Sequence, residues 1–305
     1  MRLTLRQVQV FAAVARHQNV SRAAGELAMS QSAASSALVE LERQFDCPLF
    51  DRIGKSLRLN ATGRGLLPLA EDLLGRAAEI ESVLAGGQLG PLSVGATMSI
   101  GNYLATLIVA DYLQQHPGAA IDLKVANTRH ILDDVLHCVL DIGLVEGEVN
   151  APELLVEPWL ADELVVFCAP GHALAAAGRA STEQLRGEHW VLREAGSGTR
   201  ALFDRVVAPT LGRPLVRLQL EHTEAIKRAV EAGLGLACLS RLTLDEAFRR
   251  GTLVELRTGQ FDLRRHFHFV RHRQRQLSPA GRAFMALCRS VGDGILASQA
   301  LASRN

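Results

Sequence analysis

Two groups of side chains in this 305-residue chain have types and spacings suited to chemistry with a partner. The first is Gln31, Ser32, Ser35 and Ser36, within the run SQSAASSALVELE. Ala34, Leu38, Leu41 and Phe45 recur at i, i+4, i+7 and i+11, an inward stripe on a helix, so the four polar residues share the outer face of its first turns. Short donors and acceptors near a helix N-terminus suit the base edges of a DNA major groove, and the free N–H groups there favour phosphate. A purely solvated face would more simply use Glu and Lys, because Ser has only middling helix propensity. The second group is Thr97, Met98 and Ser99, then Asn127 and Thr128, then Glu146, then Glu194 with the run GSGTR that holds Ser197, Gly198 and Thr199, and finally Thr223. Each set follows a β-rich run and precedes a helical pattern. A Ser or Thr at a helix start is often only a cap, but four such loops brought together fit a small polar anion better than a flat apolar ligand.

Other chemistries find no support in the residues. GSGTR lacks the GxxxxGK[ST] pattern of a phosphate loop, and no GxSxG elbow is present. His266, His268 and His272 have no carboxylate or cysteine company at metal-ligand spacing. Cys47, Cys138, Cys168, Cys238 and Cys288 are scattered without a CxxC pair, as buried reduced thiols would be, and no cysteine lies between Cys168 and Cys238. We therefore expect no enzyme, no metal and no cofactor. No apolar run approaches the roughly 20 residues that cross a bilayer, and VQVFAAVA carries no cleavage-site pattern. The expected location is the cytoplasm, with no membrane partner.

The first group needs a compact helical head to present it. Leu5, Val8, Phe11, Ala12 and Ala15 predict one amphipathic helix; Ser21 is expected to cap a second, running to about Ala28, and Ser30 a third, running to about Phe45. Ala23 and Ala24 allow the close crossing of a helix-turn-helix. PLFDRIGKSLRLN then predicts a hairpin turning at Gly54-Lys55, a wing whose Arg52, Lys55 and Arg58 can lie along a DNA backbone. Asn60 is expected to cap the next helix. Net charge is only +1, but residues 1 to 65 carry +4 and the rest −3, which places a polyanion partner at the head. From residue 61 to 87, Leu66, Ala70, Leu73, Ala77, Ile80 and Leu84 are spaced 4, 3, 4, 3, 4, a coiled-coil seam that predicts dimerisation. Packing against its own chain is the competing use of that seam. Pro68 should bend the helix, and Gly86-Gly87 should end it and supply a hinge.

The second group needs a scaffold that brings distant loops together. Strand candidates are PLSVGA, IDLKVAN, DIGLVE, ELVVFCA, HWVLRE, VRLQLE, LGLACLS and HFHFVRH, separated by helical patterns. That alternation predicts α/β units on mainly parallel sheets, with ligands beyond the carboxyl ends of the strands.

LRQVQVFAAVA, SRAAGELAMSQSAASSALVELE, PLFDR and LNATGRGLL resemble, in order and spacing, the winged helix-turn-helix of the LysR-type transcriptional regulators. Asp46 stands where that family usually has Gly, Asn60 where it has Thr, and Ser36-Ala37 where a longer polar pair often sits. IGNYL, DIGLVEG, EPWLADELVVF, LREAGSGTR, TEAIKRAVEAGLGLACLSR and HRQRQLS resemble its sulfur-metabolism subgroup, including sulfite-responsive regulators. The resemblance implies a winged helix-turn-helix over 1–60, a linker helix over 61–87, and an effector domain over 88–305 with the two-lobed fold of periplasmic solute-binding proteins. Lobe I would take about 91–160 and 267–292, and lobe II about 161–266. It further implies an inverted-repeat operator, a homodimer assembling into a tetramer, contact with RNA polymerase as a further option, and a small anionic effector such as sulfite held by the second group. Glu146 and Glu194 would repel a full dianion unless they accept a hydrogen bond from a protonated oxyanion such as hydrogensulfite, and His222, where Asn is expected, would alter the pH dependence. Control by a small organic acid or by thiol oxidation is the alternative, and a solute-binding protein the remote one.

Overall fold

The computed structural model describes residues 2–53, 56–84 and 89–302, without the side chains of 52, 53, 56, 82, 83 and 296–302. The head opens with α1 (Leu5–His17), started by a capping box in which the Thr4 hydroxyl accepts from the Gln7 N–H and the Gln7 side chain accepts from the Thr4 N–H. Helix α2 (Val20–Glu26) is capped by Asn19, whose Oδ1 accepts from the Arg22 N–H at 3.0 Å, and not by Ser21. Asn is an equally good cap and stands in extended backbone, so the helix begins before Ser21 is reached. Helix α3 (Gln31–Phe45) starts at Ser30 as expected and ends at Asp46, whose φ of 47° is left-handed.

Val10, Phe11, Val14, Ala23, Ala24, Ala34, Leu38 and Leu41 form the head's core. Phe45 departs from the expected stripe: it is 52% exposed and lies on an apolar recess shared with Leu69 and Leu73, because by the last turn of α3 the core beneath it has run out. Leu5, at the first turn of α1, is 46% exposed for the same reason. The hairpin is present as β1 (Phe50–Ile53) and β2 (Ser56–Leu59), antiparallel, with Phe50 opposite Leu59. Gly54 and Lys55 lie outside the described residues.

Helix α4 (Ala61–Leu84) starts where Asn60 Oδ1 accepts from the Gly63 N–H at 2.9 Å, and it runs on past Pro68. Arg16 on α1 joins three helices, pairing with Glu26 at 2.6 Å and with the buried Glu71 of α4 at 2.5 Å. The predicted seam is divided between two uses. Ala70 is buried in the head's own core and Leu66 packs against it, whereas Leu73, Ile80 and Leu84 are 39%, 61% and 82% exposed and Ala77 is half-buried. Gly86-Gly87 falls outside the described residues. Asp72 touches the body, accepting from the Gln276 backbone N–H at 3.2 Å.

In the body, β3 (Leu92–Thr97) leads into α5 (Met98–Ile100), a π-helical turn at Gly101–Ala105, and α6 (Thr106–Gln115). Then come β4 (Ile121–Ala126), α7 (Thr128–Leu136), β5 (Ile142–Glu146) and the long β6 (Leu154–Cys168). They are followed by α8 (Thr182–Arg186), β7 (His189–Arg193), α9 (Gly198–Val206), α10 (Ala208–Leu211), β8 (Leu215–Leu220) and α11 (Thr223–Glu231). β9 (Ala237–Ser240), α12 (Asp245–Arg250), β10 (Val254–Leu256), β11 (Arg264–His272) and α13 (Pro279–Ala302) complete the chain. Strand β3 pairs in parallel with β4 and β5, and β7 with β8. The sheets are nevertheless mixed, contrary to the mainly parallel expectation: β11 joins β5 and β6 antiparallel, and β6 joins β9 and β10 antiparallel. The reason is that β6 and β11 run side by side in opposite directions from one lobe into the other. Their ladder is register-shifted at Phe267/His268, where Phe267 faces Leu160 and His268 faces Pro158. The β-rich run ELVVFCA covers only the second half of β6, and the short β10 falls outside the expected strands. Separate cores fill the lobes, around Phe267, Phe269 and Phe284 in one and around Trp190, Phe203 and Leu236 in the other.

Candidate functional site

On the head, Ser32 and Ser36 are exposed on the side of α3 opposite the buried Ala34, Leu38 and Leu41, whereas the exposed Gln31 and the half-buried Ser35 flank that stripe. Ser32 Oγ lies 3.0 Å from the capping Ser30 Oγ, which draws it toward the helix start. Arg58 is exposed on β2, while Lys55 and the Arg52 side chain lie outside the described residues.

In the body, the expected loops do meet, at the ends of β3, β4, β5 and β7 and the starts of α7, α9 and α11. The lobes are closed on one another. Asn127 Nδ2 donates to Glu194, the Gly198 N–H donates to Thr128 Oγ1 at 3.2 Å, and Thr199 Oγ1 donates to Glu146 Oε1 at 3.1 Å. Gly198 is required for this approach, since a Cβ there would stand 2.2 Å from the Glu146 carbonyl oxygen. Thr97, Ser99, Thr128, Glu146, Glu194, Ser197, Thr199 and Thr223 are all buried, and Met98 is half-buried. Ser197 and Asn127 also cap α9 and α7, accepting from the Arg200 and Arg129 N–H groups at 3.4 and 3.0 Å.

Two arginines that the sequence reading did not select govern the charge. Arg265, on β11, donates to Glu146 at 3.0 Å, to Asp162 at 2.7 Å and to Thr199 Oγ1 at 3.1 Å, with its side chain 3% exposed. Burial opposes its charge, but Glu146 and Asp162 overcome that and hold the guanidinium protonated; burial also pushes the Asp162 carboxyl up, against the pull of Arg265. Arg193, the last residue of β7, holds Glu194 through Nε and Nη2 at 2.8 and 2.9 Å. Glu194 is therefore neutralised by Arg193, and Glu146 shares the charge of Arg265 with Asp162, which lessens the expected need for a proton-sharing ligand. Thr199 already donates to Glu146, so it is a poorer ligand donor than the sequence implied, whereas the Thr128 hydroxyl only accepts, from Gly198. Thr97 Oγ1, Thr223 Oγ1 and Arg193 Nη1, by contrast, are buried with no hydrogen-bond partner among the described residues. His222 is exposed and makes no capping bond.

A signal for Arg265 was present. In RRHFHFVRH the period of two places it on the same face as Phe267 and Phe269, which are core residues. Burial pushes the thiols of Cys138, Cys168 and Cys238 up to about 12, about 11 and about 12, so at neutral pH they are un-ionised and unreactive. Among the described residues no three His, Cys, Asp or Glu are placed to hold a metal ion, and no helix is long and apolar enough to cross a membrane.

Comparison with known proteins agrees with this division of labour. The family model for the bacterial regulatory helix-turn-helix protein of the lysR family matches residues 5–64, and that for the LysR substrate binding domain matches residues 85–293. An uncharacterized HTH-type transcriptional regulator, YeiE of Escherichia coli (strain K12), is 42% identical over 288 residues, 94% of this chain and 98% of that one. A full-length OxyR variant from Pseudomonas aeruginosa shares the fold, with a TM-score of 0.71 at 22% identity over 95% of each chain. The Synechocystis PCC6803 CcmR regulatory domain, solved in complex with 2-PG, gives a TM-score of 0.60 at 28% identity over 66% of this chain and 97% of that one. Winged head, linker helix and two-lobed body occur in the family's order throughout, and the chain belongs to the LysR-type transcriptional regulators, DNA-binding regulators with an effector-binding domain rather than enzymes.

Proposed function

We propose that two heads of a homodimer, and four in a tetramer, read an inverted-repeat operator in the cytoplasm, and that a small oxyanion held between the lobes sets promoter activity, by contact with RNA polymerase or by rearranging the operator complex. The observation that carries the anion reading is that three buried donors at these loops, Thr97 Oγ1, Thr223 Oγ1 and Arg193 Nη1, have no partner among the described residues. A buried donor left unpaired costs about 1 to 3 kcal/mol, so a ligand that accepts from all three gains what the free chain forgoes. Their near-complete burial favours an occupant of few atoms. Sulfite is our first candidate, on the resemblance to the sulfur-metabolism subgroup; the 2-PG bound to the CcmR domain makes 2-PG the second. Thiol oxidation is disfavoured because the body's cysteines are buried and their ionisation is pushed up.

A thermal-shift panel of sulfite, sulfate, phosphate and 2-PG tests the cleft: a ligand at 100 times its dissociation constant adds about 2.7 kcal/mol of stability. No shift with any of them removes the anion reading. For the head, Gln31→Ala is expected to lower the ratio of operator to random-DNA affinity by about 1 to 3 kcal/mol without changing stability; an unchanged ratio sinks the face assignment. For the linker, Leu73→Asp buries a carboxylate between chains and is expected to dissociate the dimer in sedimentation.

A further inference from the structure

The lobes meet on two flanks of the cleft, and the flanks are built differently. On one, the Gly198 backbone lies against the Glu146 carbonyl, and Thr199 and Arg265 bond the buried Glu146 carboxylate. On the other, closure rests on three side chains. The π-helical turn at Gly101–Ala105 carries Tyr103 out from lobe I. Gly101 permits that turn to sit on β4, since a Cβ there would come within 2.6 Å of the Val125 side chain. The Tyr103 hydroxyl donates to the Glu224 carboxylate on α11 of lobe II. Lys227 Nζ donates to the same hydroxyl at 3.2 Å and to Glu224 at 2.9 Å, and lies 5.7 Å from the centre of the Tyr103 ring. Thr97 and Thr223, with unpartnered hydroxyls, stand at the starts of the two helical segments that carry this trio.

We propose that Tyr103, Glu224 and Lys227 form the door of the cleft, that Glu224 is an internal stand-in for the incoming anion, and that Lys227 is the first cation the anion meets. This rests on reading the cleft as an anion site. A phenol O–H and an ammonium make a donor pair suited to an oxyanion, and a carboxylate of the chain itself now fills it. The Glu224 side chain is 60% exposed and free to swing into water, whereas that of Lys227 is 12% exposed and held beneath Tyr103. An ion pair with one partner mostly in water is weak and opens readily, while the opposite flank, built of buried pairs and backbone contact, stays shut.

Stopped-flow binding of sulfite, sulfate and phosphate to the full-length chain tests the door. Tyr103→Phe keeps the ring and removes the donor, so association and dissociation should both quicken about fivefold while affinity changes less than about twofold. A general loss of structure would not produce that split. Glu224→Gln should also quicken association, and Lys227→Met should slow it about tenfold and flatten its salt dependence. In the free protein, Tyr103→Phe should speed amide hydrogen exchange at 101–105 and 223–227 and leave 197–202 untouched. Unaltered rates in Tyr103→Phe and Glu224→Gln, or unaltered exchange in those two segments, overturn the door. If none of the three anions binds the wild-type chain, the anion reading of the cleft fails, and hydrogen exchange alone decides whether the trio closes this flank.

Discussion

In the head, Gln31, Ser32 and Ser36 stand in solvent over a core of Ala34, Leu38 and Leu41; in the body, Thr97, Ser99, Glu146 and Thr199 are buried between two lobes whose apolar cores lie elsewhere. The same residue types serve two kinds of recognition. A partner as large as DNA comes to an outward face, which needs no balancing of charge within the chain. A ligand of a few atoms must be surrounded, so every polar group that closes on it has to be paired, neutralised or left for the ligand. Exposed groups can therefore change with little effect on folding, and buried ones cannot.

The sharpest way to break this contrast is to remove a charge from each region. Arg265→Met leaves Glu146 and Asp162 buried without their cation and is expected to cost about 3 to 5 kcal/mol in denaturant unfolding of the body. Arg58→Ala, at an exposed position of the wing, should change stability by less than about 0.5 kcal/mol while weakening DNA binding at every sequence alike. Comparable stabilities for the two variants would erase the distinction.

A finer division lies within the cleft. Thr199→Val takes a hydroxyl from both Glu146 and Arg265 and is expected to cost the free protein about 1.5 to 3 kcal/mol. Thr97→Val removes a hydroxyl with no partner among the described residues, so the free protein should lose nothing. Thermal melts that rank the two variants the other way would contradict the assignment of structural and ligand-facing hydroxyls.

The smallest expected effect is one of pH. Burial, helped by His266 in one case and Arg275 in the other, holds the His268 and His272 rings below their ordinary value of 6.5. A depressed histidine contributes stability above the unfolded value and loses it as pH falls toward the folded one, because the unfolded chain takes up the proton first. The melting temperature of the body should therefore fall as pH drops below the ordinary histidine value of 6.5, and less so in His268→Gln and His272→Gln. Asp162 and Glu71, both pushed up by burial, act in the opposite sense at the more acid pH where carboxylates titrate. A decline that is the same in all three proteins would assign it to other groups.

What the sequence disclosed follows the same line between outside and inside. The helices of the head, the Ser30 and Asn60 caps, the hairpin and the loops that meet in the cleft were legible because each rests on local periodicity or a local cap. The antiparallel crossing of β6 and β11 was not, because it is set by pairing between residues about a hundred positions apart. For the same reason Glu146 looks like an unbalanced charge in isolation, and its partner is Arg265, 119 residues away. Glu194 is the instructive exception. Its partner Arg193 is its immediate neighbour, but only the burial of the strand end shows that the two carboxylate oxygens are already taken.

The central claim is that the cleft holds a small anion through donors the chain leaves unpaired. Titration calorimetry of sulfite, sulfate, phosphate and 2-PG into wild-type, Thr97→Val and Thr223→Val protein tests it most directly. We predict that one of these anions binds the wild-type chain and that each Val variant, with a melting temperature no lower than wild type, binds it about 10-fold to 150-fold more weakly. Wild-type affinity in both variants, or no binding of any of the four to the wild-type chain, would contradict it.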